Sequence, residues 1–339
     1  MTRKVKKSKG PVRMGFIGCG GIIRGHTKQL LATPEAEIAA LTDIDPARIT
    51  TLKSVYPAVG QAREYTDYKD MLKSEELDAV LVSTPHTLHY EHAMAAIRAG
   101  LHVLVEKPLV CRVDHARKLI AAAEKAGVVI EICYQRHFAG PYRYMRDAIG
   151  SGELGEVRFI SALQMQEWLV GTRGTWRQKA ALAGGGQLND SGSHLMDALL
   201  WTTGLAADTV SAQMEYFGTE VDINSALTIR FTNGAIGSIS IIGSAPMMYV
   251  YEDMTVEGSK GALYYRNGEL RFQKGHQGPI ATMSNWSADL SHDRNFINAV
   301  LGREENQVPP ICGLRVIEVT EAAYKSAKKG GAPVKVARF

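Results

Sequence analysis

The sequence predicts a two-domain α/β fold, with a doubly wound parallel sheet first and a domain built on a mostly antiparallel sheet second. Residues 12–137 alternate short apolar runs with amphipathic helical stretches. After about residue 150, β-like runs follow one another with short Gly or Asn turns. A chain of 339 residues is long enough to bury a core in each.

In the first part the apolar runs are VRMGFIG (12–18), EIAALTD (37–43), DAVLVST (78–84), LHVLVEKP (101–108) and VVIEICY (128–134). Nearly continuous apolarity marks strands covered on both faces, the pattern of a parallel sheet between helices. HAMAAIRAG (92–100) and HARKLIAAAEKAG (115–127) read as helices, the second closed by a glycine suited to a helix C-terminus. In the second part EVRFISALQMQEW (156–168), INSALTIRFT (223–232), AIGSISIIGS (235–244) and MTVEGSKGALYY (254–265) read as strands. TNG (232–234) and RNG (266–268) are hairpin signals. Helices are expected at 190–203, about 289–302 and about 314–328. The predicted division is a basic tail over 1–11, a dinucleotide-binding domain over 12–137, and a substrate-binding and oligomerisation domain over 138–339. The second-domain strands alternate only partly, so another subunit is expected to cover one face and give a homodimer or homotetramer.

Hydrophobic residues at 45% and charged residues at 22% are ordinary for a globular chain. The formal charge is +4, yet Arg3, Lys4, Lys6, Lys7, Lys9 and Arg13 crowd the start; subtracting these six leaves about −2 for the rest. Basicity is thus a property of the tail, which reads as a disordered arm, and the body offers no face for nucleic acid. No apolar run approaches the roughly 20 residues of a membrane span, and the arm lacks the apolar stretch of a signal peptide. Cys19, Cys111, Cys133 and Cys312 are scattered, which argues against a disulfide framework or a zinc site and fits a reducing cytoplasm.

GFIGCGGIIRGH (15–26) follows the first strand. Gly18, Gly20 and Gly21, with Cys19 and Ile22 between and after them, permit a tight turn and close backbone approach. The helix that follows offers free N–H groups to a pyrophosphate. The third glycine of the G-x-G-x-x-G pattern is replaced by Ile23. Asp43 closes the next strand, where an acid binds a ribose 2′-hydroxyl and repels a 2′-phosphate, so NAD is expected rather than NADP. A plain turn residue before a helix is the other reading of Asp43.

GGGQLNDSGSHLMDALLW (184–201) raises a different question. Asp190, His194, Asp197 and Trp201 fall on one face if the segment is helical throughout. The glycine run reads as close backbone approach to a substrate or cofactor, with a flexible loop as the bland alternative. HTLHYEH (86–92) carries three histidines, but residues six apart lie about 240° apart around a helix, so a metal site is not expected. His86 is instead expected over the cofactor, with His89 beginning the helix. Trp176 and Arg177 offer an aromatic surface and a guanidinium suited to a polar ring. Arg136, after the last strand of the first part, is expected to reach the same ligand.

STPHTLHYEHAMAAIRAGLHVLVEKPL (83–109) and GGGQLNDSGSHLMD (184–197) together resemble the Gfo/Idh/MocA family of NAD(P)-dependent oxidoreductases. The resemblance runs over nearly the whole chain after the tail. It implies an N-terminal Rossmann domain, a C-terminal α/β domain with a large open sheet often used for oligomerisation, and hydride transfer on sugars, cyclitols or related polyols. Ser83, Thr84, Pro85, His86, His89, Glu106 and Lys107 are then expected at the cofactor. His86 departs from the Asn that many members carry. The catalytic set implied is Lys107, Asp190 and His194.

Oxidising a secondary alcohol sends a hydride to the nicotinamide and a proton to the protein. The imidazole of His194, with an unperturbed pKa of about 6.5, is a natural base. Asp190 can orient it or hold a neighbouring hydroxyl, and Lys107 can hydrogen-bond the reacting oxygen or itself carry the proton. Two alternatives share the fold: an NAD-dependent glycoside hydrolase or lyase that oxidises only transiently, and a non-catalytic NAD-binding regulator.

Overall fold

The computed structural model describes residues 10–247, 249–275 and 277–337. Apart from Gly10 and Pro11, the expected basic arm lies outside the described residues. Strands β1 (Val12–Ile17), β2 (Ala36–Thr42), β3 (Arg63–Tyr65), β4 (Ala79–Val82), β5 (His102–Val105) and β6 (Ile130–Ile132) form one sheet in the order β3-β2-β1-β4-β5-β6, every pair parallel. The order reverses between β1 and β4, so the carboxyl ends of these two strands form the switch point at which open α/β sheets bind ligands. β4 and β5 are buried at every residue, as their unbroken apolar runs predict. β3 has no such run and is half open to solvent, so nothing in its sequence announces it. The connecting helices are α1 (Ile23–Leu31), α2 (Pro46–Val55), α3 (Tyr68–Ser74), α4 (His89–Arg98) and α5 (Val113–Ala126).

The second sheet joins β7 (Val157–Met165), β8 (Ala207–Glu215), β9 (Asn224–Phe231), β10 (Ile236–Ile242), β11 (Tyr251–Gly258), β12 (Gly261–Arg266), β13 (Glu269–Lys274), β14 (Ile280–Met283) and β15 (Val334–Lys335). Their order is β14-β13-β12-β11-β7-β10-β9-β8-β15. The β7–β10 pair is parallel and the remaining pairs antiparallel. In β9 burial alternates with period 2, placing Ser225, Leu227, Ile229 and Phe231 inward. With this sheet go α6 (Gly140–Gly150), α7 (Ala180–Ala183) and α8 (Gly192–Thr203), which packs on β7. Helices α9 (His292–Val300) and α10 (Pro310–Lys328) follow. No helix among the described residues is long and apolar enough to cross a membrane.

The chain divides into two compact units, and not at a single boundary near residue 137. The first takes the described residues up to Val110, then Asp114–Cys133 and Ser291–Gly313; the second takes Cys111–Val113, Tyr134–Leu290 and the described residues from Leu314 on. α9 returns to the first unit because its apolar side has its partners there. Phe296 and Ile297, both fully buried, share one cluster with Val12, Met14, Phe16, Ile23 and Leu81. Ile23, which replaces the third glycine of the turn motif, is a member of that cluster and fills the space between α1 and the sheet.

Truncating a buried phenylalanine to alanine costs about 3–5 kcal/mol through lost transfer energy and the cavity left behind. Phe296→Ala is expected to lose that much unfolding free energy in urea titration. Ile280→Ala, at a residue 54% exposed, is expected to stay within about 0.5 kcal/mol of the parent.

Candidate functional site

At the end of β1 the chain turns on Gly18, whose φ is +99°. A Cβ there would stand 2.8 Å from the Ser83 carbonyl oxygen, so only glycine allows this approach. The Gly18 N–H donates to Thr42 O at 2.8 Å, and the Ser83 hydroxyl donates to Gly18 O at 2.8 Å, tying the ends of β1, β2 and β4 together. Asp43 accepts the Cys19 N–H on Oδ2 at 2.8 Å and the Asp45 N–H on Oδ1 at 2.9 Å. Each carboxylate oxygen keeps further acceptor capacity that a ribose diol can use.

The turn fits a dinucleotide on the structure's own terms. Ile22 at the start of α1 makes no side-chain cap, and the Ile23 and Gly25 N–H groups donate to Gly20 O at 3.3 Å and Ile22 O at 3.1 Å, which tightens the turn into the helix. Nothing lies within 4 Å of the place a Cβ would take at Gly21. Ile22 at 53% and Ile44 at 91% exposure flank the turn as apolar surfaces.

Two loops of the first unit meet at one histidine. His89 is fully buried, with Nδ1 2.8 Å from Pro108 O and Nε2 2.9 Å from Thr84 O. It therefore stands between the loop after β4, which carries Ser83, Thr84 and Pro85, and the loop after β5, which carries Glu106 and Lys107, and its one N–H donates to one of the two carbonyls. The expectation of direct contact between His89 and a cofactor is corrected: both ring nitrogens serve backbone carbonyls in a site without solvent. Burial holds this imidazole below its usual pKa. His86 is 3% exposed and lies edge-on to the His89 ring at 5.8 Å. His92 is buried too, and its Nδ1 stands 2.9 Å from the Thr84 hydroxyl.

Lys107 is half-buried and joins Pro108 through a cis peptide bond. Its backbone N–H donates to Glu106 Oε2 at 3.1 Å. The other Glu106 oxygen lies 3.0 Å from His26 Nε2, and His26 Nδ1 lies 2.7 Å from Asp293 Oδ1. Burial alone would raise the Glu106 carboxyl. The hydrogen bond and charge of His26, with Lys107 adding to them, instead bring it down to about 2.

In the second unit the glycine run approaches the protein's own backbone, which corrects the expectation of a ligand there. A Cβ on Gly186 would lie 1.8 Å from Asp222 O, and one on Gly185 would lie 2.3 Å from the Tyr324 hydroxyl. The fully enclosed Asp222 carboxylate accepts the N–H groups of Gly186 at 2.7 Å and Leu188 at 2.9 Å, the Ser225 hydroxyl at 3.1 Å and the Tyr324 hydroxyl at 2.7 Å.

This bracket leads into Asp190. Helix α8 begins at Gly192, so Asp190 stands before it rather than on its face. Asp190 Oδ2 accepts Trp168 Nε1 at 3.0 Å and Arg177 Nε at 3.0 Å, and the Arg177 guanidinium lies 4.6 Å over the Trp176 ring. Trp176 and Arg177 thus come to Asp190, as the short spacing to the glycines suggests. His194 lies in the first turn of α8, half-buried and edge-on to Tyr134 at 5.8 Å.

The remainder of the predicted polar face turns inward. Asp197 is 1% exposed and pairs with His137 Nε2 at 2.9 Å, and the His137 ring stacks on Trp201 at 4.0 Å. Burial lifts the Asp197 carboxyl above its ordinary range in spite of His137. Arg136 is held by the second unit's own interior. Its guanidinium pairs with Glu252, which also accepts Gln164 Nε2 at 2.9 Å and the Tyr142 hydroxyl at 3.1 Å. It serves as an internal cation of the second unit.

Residues 12–134 match the family model described as "Oxidoreductase family, NAD-binding Rossmann fold", and residues 142–264 match the GFO/IDH/MocA C-terminal domain. The chain is 30% identical over 263 residues to a 1,5-anhydro-D-fructose reductase of Ensifer adhaerens, covering 75% of this chain and 76% of that protein. It is 30% identical over 205 residues to a D-glucoside 3-dehydrogenase of Escherichia coli strain K12, covering 60% of this chain and 57% of the relative. In some of these matches the chain spans little more than half of the curated relative's length. The crystal structure of GenD2 from gentamicin A biosynthesis, in complex with NAD, is similar with a TM-score of 0.82 at 25% identity, covering 100% of this chain and 99% of that one.

Tyr324→Phe removes one of the four donors from the enclosed Asp222 carboxylate. A hydrogen bond to a charged group contributes about 1.5–3 kcal/mol, and that loss is expected in urea unfolding of the variant.

Proposed function

This chain belongs to the GFO/IDH/MocA family of oxidoreductases, and we propose that it moves a hydride between NAD and a secondary hydroxyl of a sugar, cyclitol or glycoside. The reading rests above all on Lys107, Asp190 and His194 standing together in one sequence, with Lys107 and Asp190 each fixed by a buried scaffold. A module that only bound the cofactor would have no use for that set. The relatives named reductase and dehydrogenase favour net hydride transfer over an elimination route that oxidises transiently.

A bound nicotinamide would supply the hydride acceptor or donor. For the protein's part, Gly18, Cys19, Gly20, Gly21 and Ile22 take the pyrophosphate at the N-terminus of α1, and Asp43 takes the adenosine ribose. The Asp43 carboxylate repels a 2′-phosphate, which favours NAD over NADP. Ser83, Thr84, Pro85 and His86 border the nicotinamide side. Lys107 donates a hydrogen bond to the reacting oxygen and steadies the developing alkoxide. His194 takes the proton. Asp190, held by Trp168 and Arg177, accepts a neighbouring hydroxyl, and Trp176 with Arg177 supports the ring. The four cysteines, none of them in a disulfide, fit a reducing cytoplasm. Exposed sheet residues such as Phe159 and Ile280 fit a homodimer or homotetramer formed through the second sheet.

A panel of polyols and glycosides offered with NAD and with NADP, followed by nicotinamide absorbance, tests the reading. Stoichiometric NADH is the expected result with at least one of them. Lys107→Met and His194→Ala are each expected to lower kcat by about 10²–10⁴-fold while NADH binding, read by fluorescence, is retained. Near-normal turnover by His194→Ala removes that residue from proton transfer. Asp43→Ala is expected to weaken NADH binding about tenfold, about 1.4 kcal/mol.

A further inference from the structure

Behind Lys107 lies a chain of buried acid–base groups that the proposed reaction leaves unused. Asp293 is 0% exposed, His26 3% and the Glu106 side chain 12%. The His26 ring is bonded on both sides, to Asp293 Oδ1 at 2.7 Å and to Glu106 Oε1 at 3.0 Å. Only the imidazolium can donate from both nitrogens; a neutral ring would turn a lone pair toward one carboxylate and leave that charge buried without a partner. Two carboxylates and one imidazolium leave one net negative charge, and the next residue along the chain is Lys107.

We propose that the Glu106–His26–Asp293 chain is a positioning device for Lys107, in which the imidazolium fixes Glu106 so that its second oxygen holds the Lys107 backbone in place. The inference rests on the reading of Lys107 as the group at the reacting oxygen. His26, Asp293 and Glu106 come from α1, α9 and the end of β5, so the loop bearing Lys107 is keyed to two helices at once.

The groups facing His26 are Glu106 and Lys107 after β5, Cys133 after β6, and His292 and Asp293 of α9; Glu131 of β6 and Glu304 face Asp293. Burial pushes the Cys133 thiol and the Glu131 carboxyl well up and holds His292 down. Burial alone would lower His26, but the Asp293 carboxylate bonded to it holds it well above its ordinary value. A cation with a raised folded-state pKa is fully present below its unfolded value, about 6.5, and is lost only as pH passes the raised one. Donor atoms of His26, Cys133 and His292 also lie within 4.8 Å of one another. Because His26 gives both nitrogens to carboxylates, that trio is not read as a metal site.

The test uses the full chain with ¹⁵N-labelled histidine and no cofactor. The His26 nitrogens are expected to give cationic shifts from about pH 6 to about pH 8. Asp293→Asn keeps an acceptor and removes a charge, so His26 should now titrate within that range. Its kcat should fall by about 10- to 100-fold as pH rises through the new value and recover at acid pH. NADH affinity and KM should stay within about threefold, a change well below one tenfold step in binding. His26→Gln should show the same loss at every pH, and decides the matter if Asp293→Asn does not fold. Neutral His26 shifts in the parent, an unchanged kcat and pH profile in the folded variants, or one equivalent of zinc per purified chain each overturn the proposal. Lys107→Met separates the two readings. Retained turnover defeats the role given to Lys107, whereas lost turnover beside an unaffected Asp293→Asn defeats only the positioning device.

Discussion

The second unit depends on one carboxylate. Asp222 collects two backbone N–H groups, a serine hydroxyl and a tyrosine hydroxyl in a space closed to water. Such charge-assisted bonds are short and directional, and a lone buried charge would be costly, so the loop that supplies the donors has one acceptable shape. That shape forbids side chains at Gly185 and Gly186 and delivers Asp190 to the indole of Trp168 and the guanidinium of Arg177. Asp190 therefore reaches its position without help from helix geometry.

The first unit solves a similar problem with histidines. His89 fills the space between two strand-end loops, within hydrogen-bond distance of a carbonyl of each, and the buried ion chain behind Glu106 pins one of them to the helical layer. In both units a loop residue, Lys107 in the first and Asp190 in the second, takes its rigidity from an interior polar group. Pre-organisation of this kind lets a site act without reorganising at the moment of reaction.

The sequence announces the elements that carry a strong local pattern. The unbroken apolar runs place β1, β2, β4, β5 and β6 within a few residues, and the alternation in 223–232 places β9. β3 and β14 are too short to carry a period, and they form because neighbouring strands offer them an edge; β13 does alternate, with Leu270 and Phe272 buried between polar residues, so its signal is present in the sequence. Site residues divide the same way. Gly18 and Asp43 sit in a short motif and can be picked out by spacing, whereas Lys107, Asp190 and His194 are picked out by resemblance to the family. His26, Asp222, Trp168, Tyr324 and Asp293 cannot, since His26 meets Asp293 across 267 positions and Tyr324 meets Asp222 across 102. A glycine run looks the same in sequence whether a ligand or the chain's own backbone comes close, which is why the role of Gly185 and Gly186 emerges only from the fold. Asp197 shares helical phase with His194, yet His137 claims it from a distant turn.

The placement of α9 has a consequence for the order in which the molecule can be made. A ribosome that has released residues 1–133 has delivered all six parallel strands, but Phe296, Ile297 and Asp293 are still more than 150 positions from synthesis. Until then the nascent sheet lacks one wall of its core, and His26 lacks one of its two carboxylates. Chains of this size expose apolar surface while incomplete. Here the whole of the second sheet up to β14 must emerge before the first can close, so a truncation that looks harmless on paper, ending just before α9, would strip the nucleotide half of its seal.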